Sequence, residues 1–229
     1  MNNRETKKSR RQKSTTNQWI IPAIIAFVAI LVIGGIVIYN VQAAASAFKI
    51  TVPAVVNHPN AKDNSAGNPD APVKVFAFED FQCPYCAQYT HQLEPQVMDK
   101  YVASGKVYYQ FVPYSFIGPE SFAASQAVYC AMDQGKFWQY HDFLYANQNG
   151  ENKGGFNNQN LEALAKEMSL DTTAFNTCLS SNKYSQKVND DKNFAYQSGA
   201  RGSPYFLVNG TLVGSDKLVE TLDAALAGK

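Results

Sequence analysis

Val73-Lys74-Val75-Phe76-Ala77-Phe78-Glu79-Asp80-Phe81-Gln82-Cys83-Pro84-Tyr85-Cys86 is an apolar run that breaks into a C-x-x-C motif. Its first six residues are β-branched or aromatic at all but two positions and read as a buried strand. Pro84 suits the first turn of a helix, where its missing N–H goes unused and its fixed φ is already helical. Tyr89, Leu93, Val97 and Tyr101 continue at helical spacing over residues 84–103, and Gly105 supplies a stop. Val107-Tyr108-Tyr109-Gln110-Phe111-Val112 is a second strand. The unit is strand–helix–strand, for which a right-handed crossover is expected.

A C-x-x-C motif alone fits half a zinc site, a redox pair or a chance spacing. A structural zinc site needs four ligands. Cys130 and Cys178 stand 44 and 92 residues beyond Cys86, and the three histidines form no H-x₃₋₅-H pattern. No metal site is expected. Context favours redox chemistry, because the pair lies between a buried strand and a helix. Cys83 then sits at the helix N-terminus, where unpaired N–H groups and the positive helix end stabilise a thiolate. Cys86 lies one turn along the same face, so the sulfurs can meet. Cys83 is assigned as the exposed nucleophile and Cys86 as the deeper, resolving sulfur.

After the second strand, residues 119–198 carry mostly helical patterning. Pro119 suits a first helical position, Asp171 an N-cap and Gly199 a terminator. Tyr205-Phe206-Leu207-Val208 and Thr211-Leu212-Val213 flank Asn209-Gly210, a strong hairpin signal. Leu218, Leu222, Ala225 and Leu226 make a closing helix. Taken alone, Pro204 in Gly202-Ser203-Pro204-Tyr205 reads as an ordinary trans proline at an edge or bend.

The N-terminal part is of another kind. Residues 1–18 hold Arg4, Lys7, Lys8, Arg10, Arg11 and Lys13 against one acid, Glu5. The remainder carries 14 basic and 18 acidic residues, so it has no basic footprint for nucleic acid. Residues 19–39 are uncharged and largely apolar, and as a helix they span about 30 Å, the depth of a bilayer core. Trp19 and Tyr39 stand where interfacial aromatics belong, and the basic segment stays cytoplasmic by the positive-inside rule. Ala43-Ala44-Ala45-Ser46-Ala47 offers a signal peptidase a site, but the length favours an uncleaved anchor. The expected organisation is a cytoplasmic basic segment at 1–18, a single-pass anchor at 19–41, a linker at 42–70 and an extracytoplasmic domain at 71–229. His58 is read as a solvated linker residue.

Phe81-Gln82-Cys83-Pro84-Tyr85-Cys86, the run Gly202-Ser203-Pro204-Tyr205-Phe206-Leu207-Val208-Asn209-Gly210 and the stretch Gln134-Gly135-Lys136-Phe137-Trp138-Gln139-Tyr140-His141-Asp142 together resemble the DsbA family of thioredoxin-fold proteins. The resemblance covers about residues 66–229. It implies an α/β thioredoxin-like fold with a helical insertion at about 119–198. Cys83 would form mixed disulfides with substrate thiols, Pro204 would be a cis-proline facing the Cys pair, and the Ser203 backbone would pair with an extended substrate. Exported cysteine-containing proteins would be the substrates, and a quinone-linked membrane partner would reoxidise the pair. The redox disulfide is the only cofactor expected.

Two departures matter. Pro84-Tyr85 replaces the Pro-His of the most oxidising relatives, and tyrosine brings no positive charge to the thiolate. The carboxylate that many thioredoxin-like proteins bury six residues before the first cysteine is Ala77 here. Glu79, on the same strand face by period two, or a water, is expected to handle the proton instead. The alternative leaves Glu79 and Asp80 solvated at the strand end. Cys130 and Cys178 are expected to staple two helices of the insertion rather than to relay electrons, since neither has a C-x-x-C partner. Closing that loop would remove unfolded-chain entropy worth about 3–4 kcal/mol. His91 reads as a helix-surface residue, and Trp138, Tyr140 and His141 as core or groove lining. The leading function is a dithiol oxidase. A reductase or isomerase on the same fold, and a non-catalytic tethered binding module, are the alternatives.

Overall fold

The computed structural model describes residues 20–45, 48–54 and 56–228. Contacts divide the chain into an N-terminal unit and a compact unit, Lys49–Lys229. The first unit holds helix α1 (Ile20–Ala45), 26 residues without a charge. Its side chains are described only for 22–36. Among the described residues no helix is long and apolar enough to cross a membrane. The basic segment 1–18, Trp19 and the Tyr39 side chain lie outside the described residues.

The compact unit is built on five strands in the order β1-β3-β2-β4-β5. They are β1 (Ser65–Ala66), β2 (Val73–Glu79), β3 (Val107–Pro113), β4 (Tyr205–Val208) and β5 (Thr211–Gly214). β2 and β3 run parallel from Val73 opposite Val107 to Glu79 opposite Pro113. β4 is antiparallel to β2, pairing Ala77 with Phe206, and β5 is antiparallel to β4. Asn209 (φ 47°) and Gly210 (φ 91°) both adopt the left-handed conformation, as a two-residue type I′ hairpin requires.

Alternation along β2 divides its side chains between two covered faces. Phe76 and Phe78 meet Phe194 edge-on, both at 5.3 Å between ring centroids, on helix α8 (Ser185–Gln197). Ala77 and Glu79 share the opposite face with Tyr109, Phe111 and Phe206. Helix α2 (Pro84–Gln92) covers part of this face through Tyr89, whose ring lies 4.6 Å from that of Phe206. The expected helix over 84–103 is broken. α2 ends at Gln92, a short α3 (Glu94–Val97) follows, and Met98–Val102 is a π-helical turn. Pro95 is the physical reason, for it has no N–H to return to the preceding turn.

Five helices form the insertion: α4 (Pro119–Met132), α5 (Phe137–Ala146), α6 (Asn158–Glu167), α7 (Thr172–Ser180) and α8. Asp171 caps α7 by accepting from the N–H groups of Thr173 and Ala174. Cys130 on α4 and Cys178 on α7 form a disulfide, with Cα atoms 5.8 Å apart. α9 (Ser215–Ala227) closes the chain and buries Leu218 and Leu222.

The stretch read as a linker belongs largely to this unit. Ser65 and Ala66 pair with Gln110 and Tyr109 to add an edge strand. Gly67 follows at φ 94°, and a Cβ there would stand 2.5 Å from the Val107 carbonyl oxygen, so only glycine lets the chain pass. Thr51 exchanges two hydrogen bonds with the Asn147 side chain, at 2.7 and 2.8 Å. His58 is not solvated: its side chain is 5% exposed and stacks on Trp138 at 4.2 Å. An apolar residue count over 42–70 misses this, because the contacts are backbone pairing and one aromatic stack.

Replacing Cys130 and Cys178 together by Ala should lower the unfolding free energy by about 3–4 kcal/mol in the chain-entropy treatment. Denaturant melts of the two proteins measure it. An unchanged midpoint would remove the staple role.

Candidate active site

The site forms where β2 ends. Asp80 is buried, and its carboxylate accepts from the N–H of Gln82 at 2.9 Å, of Phe116 at 3.0 Å and of Ile117 at 3.1 Å. One side chain thereby ties the β2–α2 loop to the loop after β3. The Cys83 N–H donates to the Asp80 carbonyl at 3.0 Å. Gln82 is buried and donates through Nε2 to Ser121 Oγ at 2.8 Å, while its Oε1 accepts from the Asn152 N–H. Gln148 Nε2 donates to the carbonyl oxygens of Phe81 and Cys83. The insertion therefore supplies three groups that hold the loop: Ser121, Gln148 and Asn152.

Cys83 occupies the N-cap of α2 in an extended conformation (φ −72°, ψ 122°), with Pro84 at the first helical position. It is less open than expected at 5% exposure, and Cys86 is fully buried. Both thiols are free. The Ser203–Pro204 peptide is cis, against the trans reading of the isolated sequence. The turn places the Ser203 carbonyl oxygen 3.4 Å from Cys83 Sγ, where it accepts from the thiol. Tyr85 points outward, 70% exposed.

The two sulfurs differ in proton affinity. The Cys83 thiol is lowered to about 6, first because the Cys86 thiol donates toward its sulfur. The Ser203 side chain and the N–H groups of Cys86 and Tyr85 lower it further, against the cost of burial. Burial pushes Cys86 well above the ordinary thiol range, with the hydrogen bond to Cys83 and the charge of Glu79 adding to it. At pH 7 Cys83 is thus mostly thiolate, while Cys86 keeps its proton.

Glu79 is fully buried, not solvated at the strand end. Its carboxylate accepts from Tyr109 Oη at 3.2 Å and from Tyr145 Oη at 3.3 Å. Burial first, and then the charge of Glu94, raise its pKa well above the usual carboxylate range. It is a carboxyl group able to hold a proton, and only when ionised does its charge raise the proton affinity of the Cys86 thiol. The tyrosines that orient it lie on β3 and α5, and nothing in their local sequence marks them. His91 is exposed on α2, as expected, while Trp138, Tyr140 and His141 are buried.

A thioredoxin family profile matches residues 60–227. The chain belongs to the thioredoxin family. It is 29% identical over 216 residues to the "Probable disulfide bond formation protein D" of Bacillus anthracis, covering 88% of this chain and 93% of that one. Among solved structures, oxidised BdbD of Bacillus subtilis superposes with a TM-score of 0.66 at 22% identity, over 77% of this chain and all (100%) of that one. A thioredoxin-like oxidoreductase of Silicibacter pomeroyi superposes with a TM-score of 0.60 at 26% identity, over 74% of this chain and 94% of that one. The Cys pair stands beyond the carboxyl end of β2, a central strand of the sheet.

Alkylation of the reduced protein by iodoacetamide should follow the Cys83 thiolate. Its rate should be half-maximal near pH 6 and level above pH 7, because the thiol value is about 6. A midpoint near the ordinary thiol value of about 8.5 would contradict the depressed pKa.

Proposed function

We propose that this protein oxidises cysteine pairs in exported proteins by donating the Cys83–Cys86 disulfide. It is a thiol–disulfide oxidoreductase of the kind that its disulfide bond formation relatives are named for. The observation that carries this reading is the pairing of a low-pKa sulfur, nearly buried under Ser203–Pro204, with a fully buried high-pKa sulfur.

A substrate thiolate attacks Cys83 Sγ, forming a mixed disulfide and expelling the Cys86 thiolate. Cys86 then takes up a proton, since its buried site disfavours the charge. Glu79 supplies that proton, directly or through water. The second substrate thiolate attacks the substrate sulfur of the mixed disulfide and expels Cys83. A substrate disulfide has formed, the enzyme holds two more electrons as the Cys83 thiolate and the Cys86 thiol, and Glu79 regains its proton from the solvent that took up the substrate thiol protons. Cys83 is a good leaving group because its thiolate is stabilised, and this favours the oxidised substrate. The Ser203 backbone would hold the substrate extended beside Cys83.

Residues 19–41 would anchor the chain with the catalytic domain outside the cytoplasm. The uncharged, largely apolar run at 19–39 and the basic cluster preceding it in the sequence support this arrangement. A quinone-linked membrane partner would restore the disulfide.

The reduction potential of the pair, measured in glutathione buffers, tests the direction of flow. Strong oxidants lie at about −120 mV and thioredoxin at about −270 mV. A value above about −180 mV is expected. A value near that of thioredoxin would make the protein a reductase or isomerase, and a pair that does not titrate would leave a binding module.

Glu79→Gln tests the proton step. Stopped-flow reduction of the Cys83–Cys86 disulfide by a dithiol peptide should slow by about 10–100-fold and change its pH dependence. Rates unchanged at every pH would remove Glu79 from the mechanism.

A further inference from the structure

Three segments bring their polar atoms to one point at the start of α3. His58 comes from the extension before β1, Glu94 opens α3, and His141 lies in the middle of α5. One ligand atom from each, an imidazole nitrogen or a carboxylate oxygen, lies within 4.8 Å of the others. Glu94 and His141 are fully buried, and the His58 side chain is 5% exposed. His58 Nε2, His141 Nε2 and both oxygens of Glu94 have no hydrogen-bond partner among the described residues. Leaving a buried polar atom unpaired costs about 1–3 kcal/mol, more where the group is charged. Four such atoms around one point call for a shared occupant.

The surroundings say what kind. Among the described residues Glu94 has one ion-pair partner, His58, at 3.8 Å, and no lysine or arginine reaches it. Asp142 Oδ1 lies 4.0 Å from His58 Nε2 and adds further negative charge. The occupant is therefore a cation. His141 Nδ1 is 2.9 Å from Asp142 Oδ1, which fixes the proton on Nδ1 and leaves Nε2 a lone pair aimed at the cluster. A carboxylate behind a ligating histidine is the usual outer shell of a metal site. The stack of His58 on Trp138 holds that ring in place, and Trp138 is itself fixed by donating to the Ser65 carbonyl at 3.1 Å.

We propose that His58 Nε2, His141 Nε2 and the Glu94 carboxylate bind a divalent transition-metal ion, zinc by the chemistry of the donors. Two imidazoles and one carboxylate suit zinc and not calcium or magnesium, which take oxygen ligands. In a tetrahedral zinc site the ligand atoms stand about 3.4 Å apart, given metal–ligand bonds of about 2.0–2.2 Å. The His58–Glu94 distance of 3.8 Å is close to this, and all separations, held within 4.8 Å, close with side-chain shifts of about 1 Å. A cavity of about 570 Å³ is lined by His58, Trp138 and Asp142, and so reaches the cluster at His58. The ion would pin the extension that carries His58 to α3 and α5. Its binding free energy would add to the stability of the folded state. The inference does not depend on the direction of electron flow at Cys83.

The test uses the full chain in detergent, stripped with a chelator, with Cys83–Cys86 kept as a disulfide so that no thiolate competes. Cobalt(II) is titrated by visible absorption and zinc(II) by calorimetry. One equivalent should bind, with the ligand-field bands of tetrahedral cobalt and no sulfur charge-transfer band. Zinc should raise the melting temperature. His58→Ala and Glu94→Gln should each weaken binding at least tenfold and remove the thermal shift. Should Glu94→Gln fail to fold, His58→Ala decides alone, because its ring lies on an extension outside the sheet. Absence of saturable binding would overturn the site. So would binding that His58→Ala leaves unchanged, since the ion would then sit elsewhere.

Discussion

β2 is hydrogen-bonded on both edges and covered on both faces, and the chemistry depends on where that strand stops. A strand held on four sides cannot slide by one residue without turning Phe78 and Glu79 onto each other's face. Its end is therefore fixed relative to β3, and Asp80 uses this. Its buried carboxylate accepts three backbone N–H groups from two loops, which sets the distance between the Cys83 turn and the chain leaving β3. Burial raises the Asp80 pKa, while the hydrogen bonds from Ser121 and from those N–H groups oppose the shift. The clamp works as an acceptor of neutral donors and needs no cation.

From that fixed turn the asymmetry of the two sulfurs follows. Cys83 stands at a helix start, where N–H groups are free to accept a negative charge. Cys86, one turn on, is fully buried, and burial is the first cause of its high proton affinity. The same four-residue motif thus yields one sulfur that leaves easily and one that must be protonated when it leaves. Stabilising the Cys83 thiolate stabilises the reduced enzyme and so makes its disulfide the better oxidant. Here the Cys86 thiol is the first cause of the low Cys83 value, with Ser203 and the N–H groups behind it, and the exposed Tyr85 side chain adds no charge.

Local features were legible in the sequence because their causes are local. The β2 run, the Cys83–Cys86 spacing, the Asn209–Gly210 hairpin and the Asp171 cap each depend on residues within about one turn or strand. The break at Pro95 was equally local and is a matter of reading helical spacing without weighing the missing N–H. The edge strand at Ser65–Ala66 was hidden for another reason. It is two residues long and owes its place to backbone pairing and to the close passage allowed by Gly67. His58, Glu94 and His141 are separated by tens of residues and fit no ligand spacing, so only the fold brings them together. The cis Ser203–Pro204 bond had no local signal either and followed from resemblance alone.

The helical insertion is part of the wall of the site rather than an appendage to it. Ser121 and Asn152 hold Gln82, Gln148 holds the Cys83 carbonyl, and Tyr145 orients Glu79. These groups come from α4, α5 and the loop between α5 and α6, whose mutual packing includes contacts with the disulfide-bearing α7. A thioredoxin sheet alone would present the Cys pair on a loop with fewer restraints and leave Glu79 with one tyrosine instead of two. The insertion therefore fixes the geometry in which one carboxyl group, buried and doubly hydrogen-bonded, faces a thiol of high proton affinity.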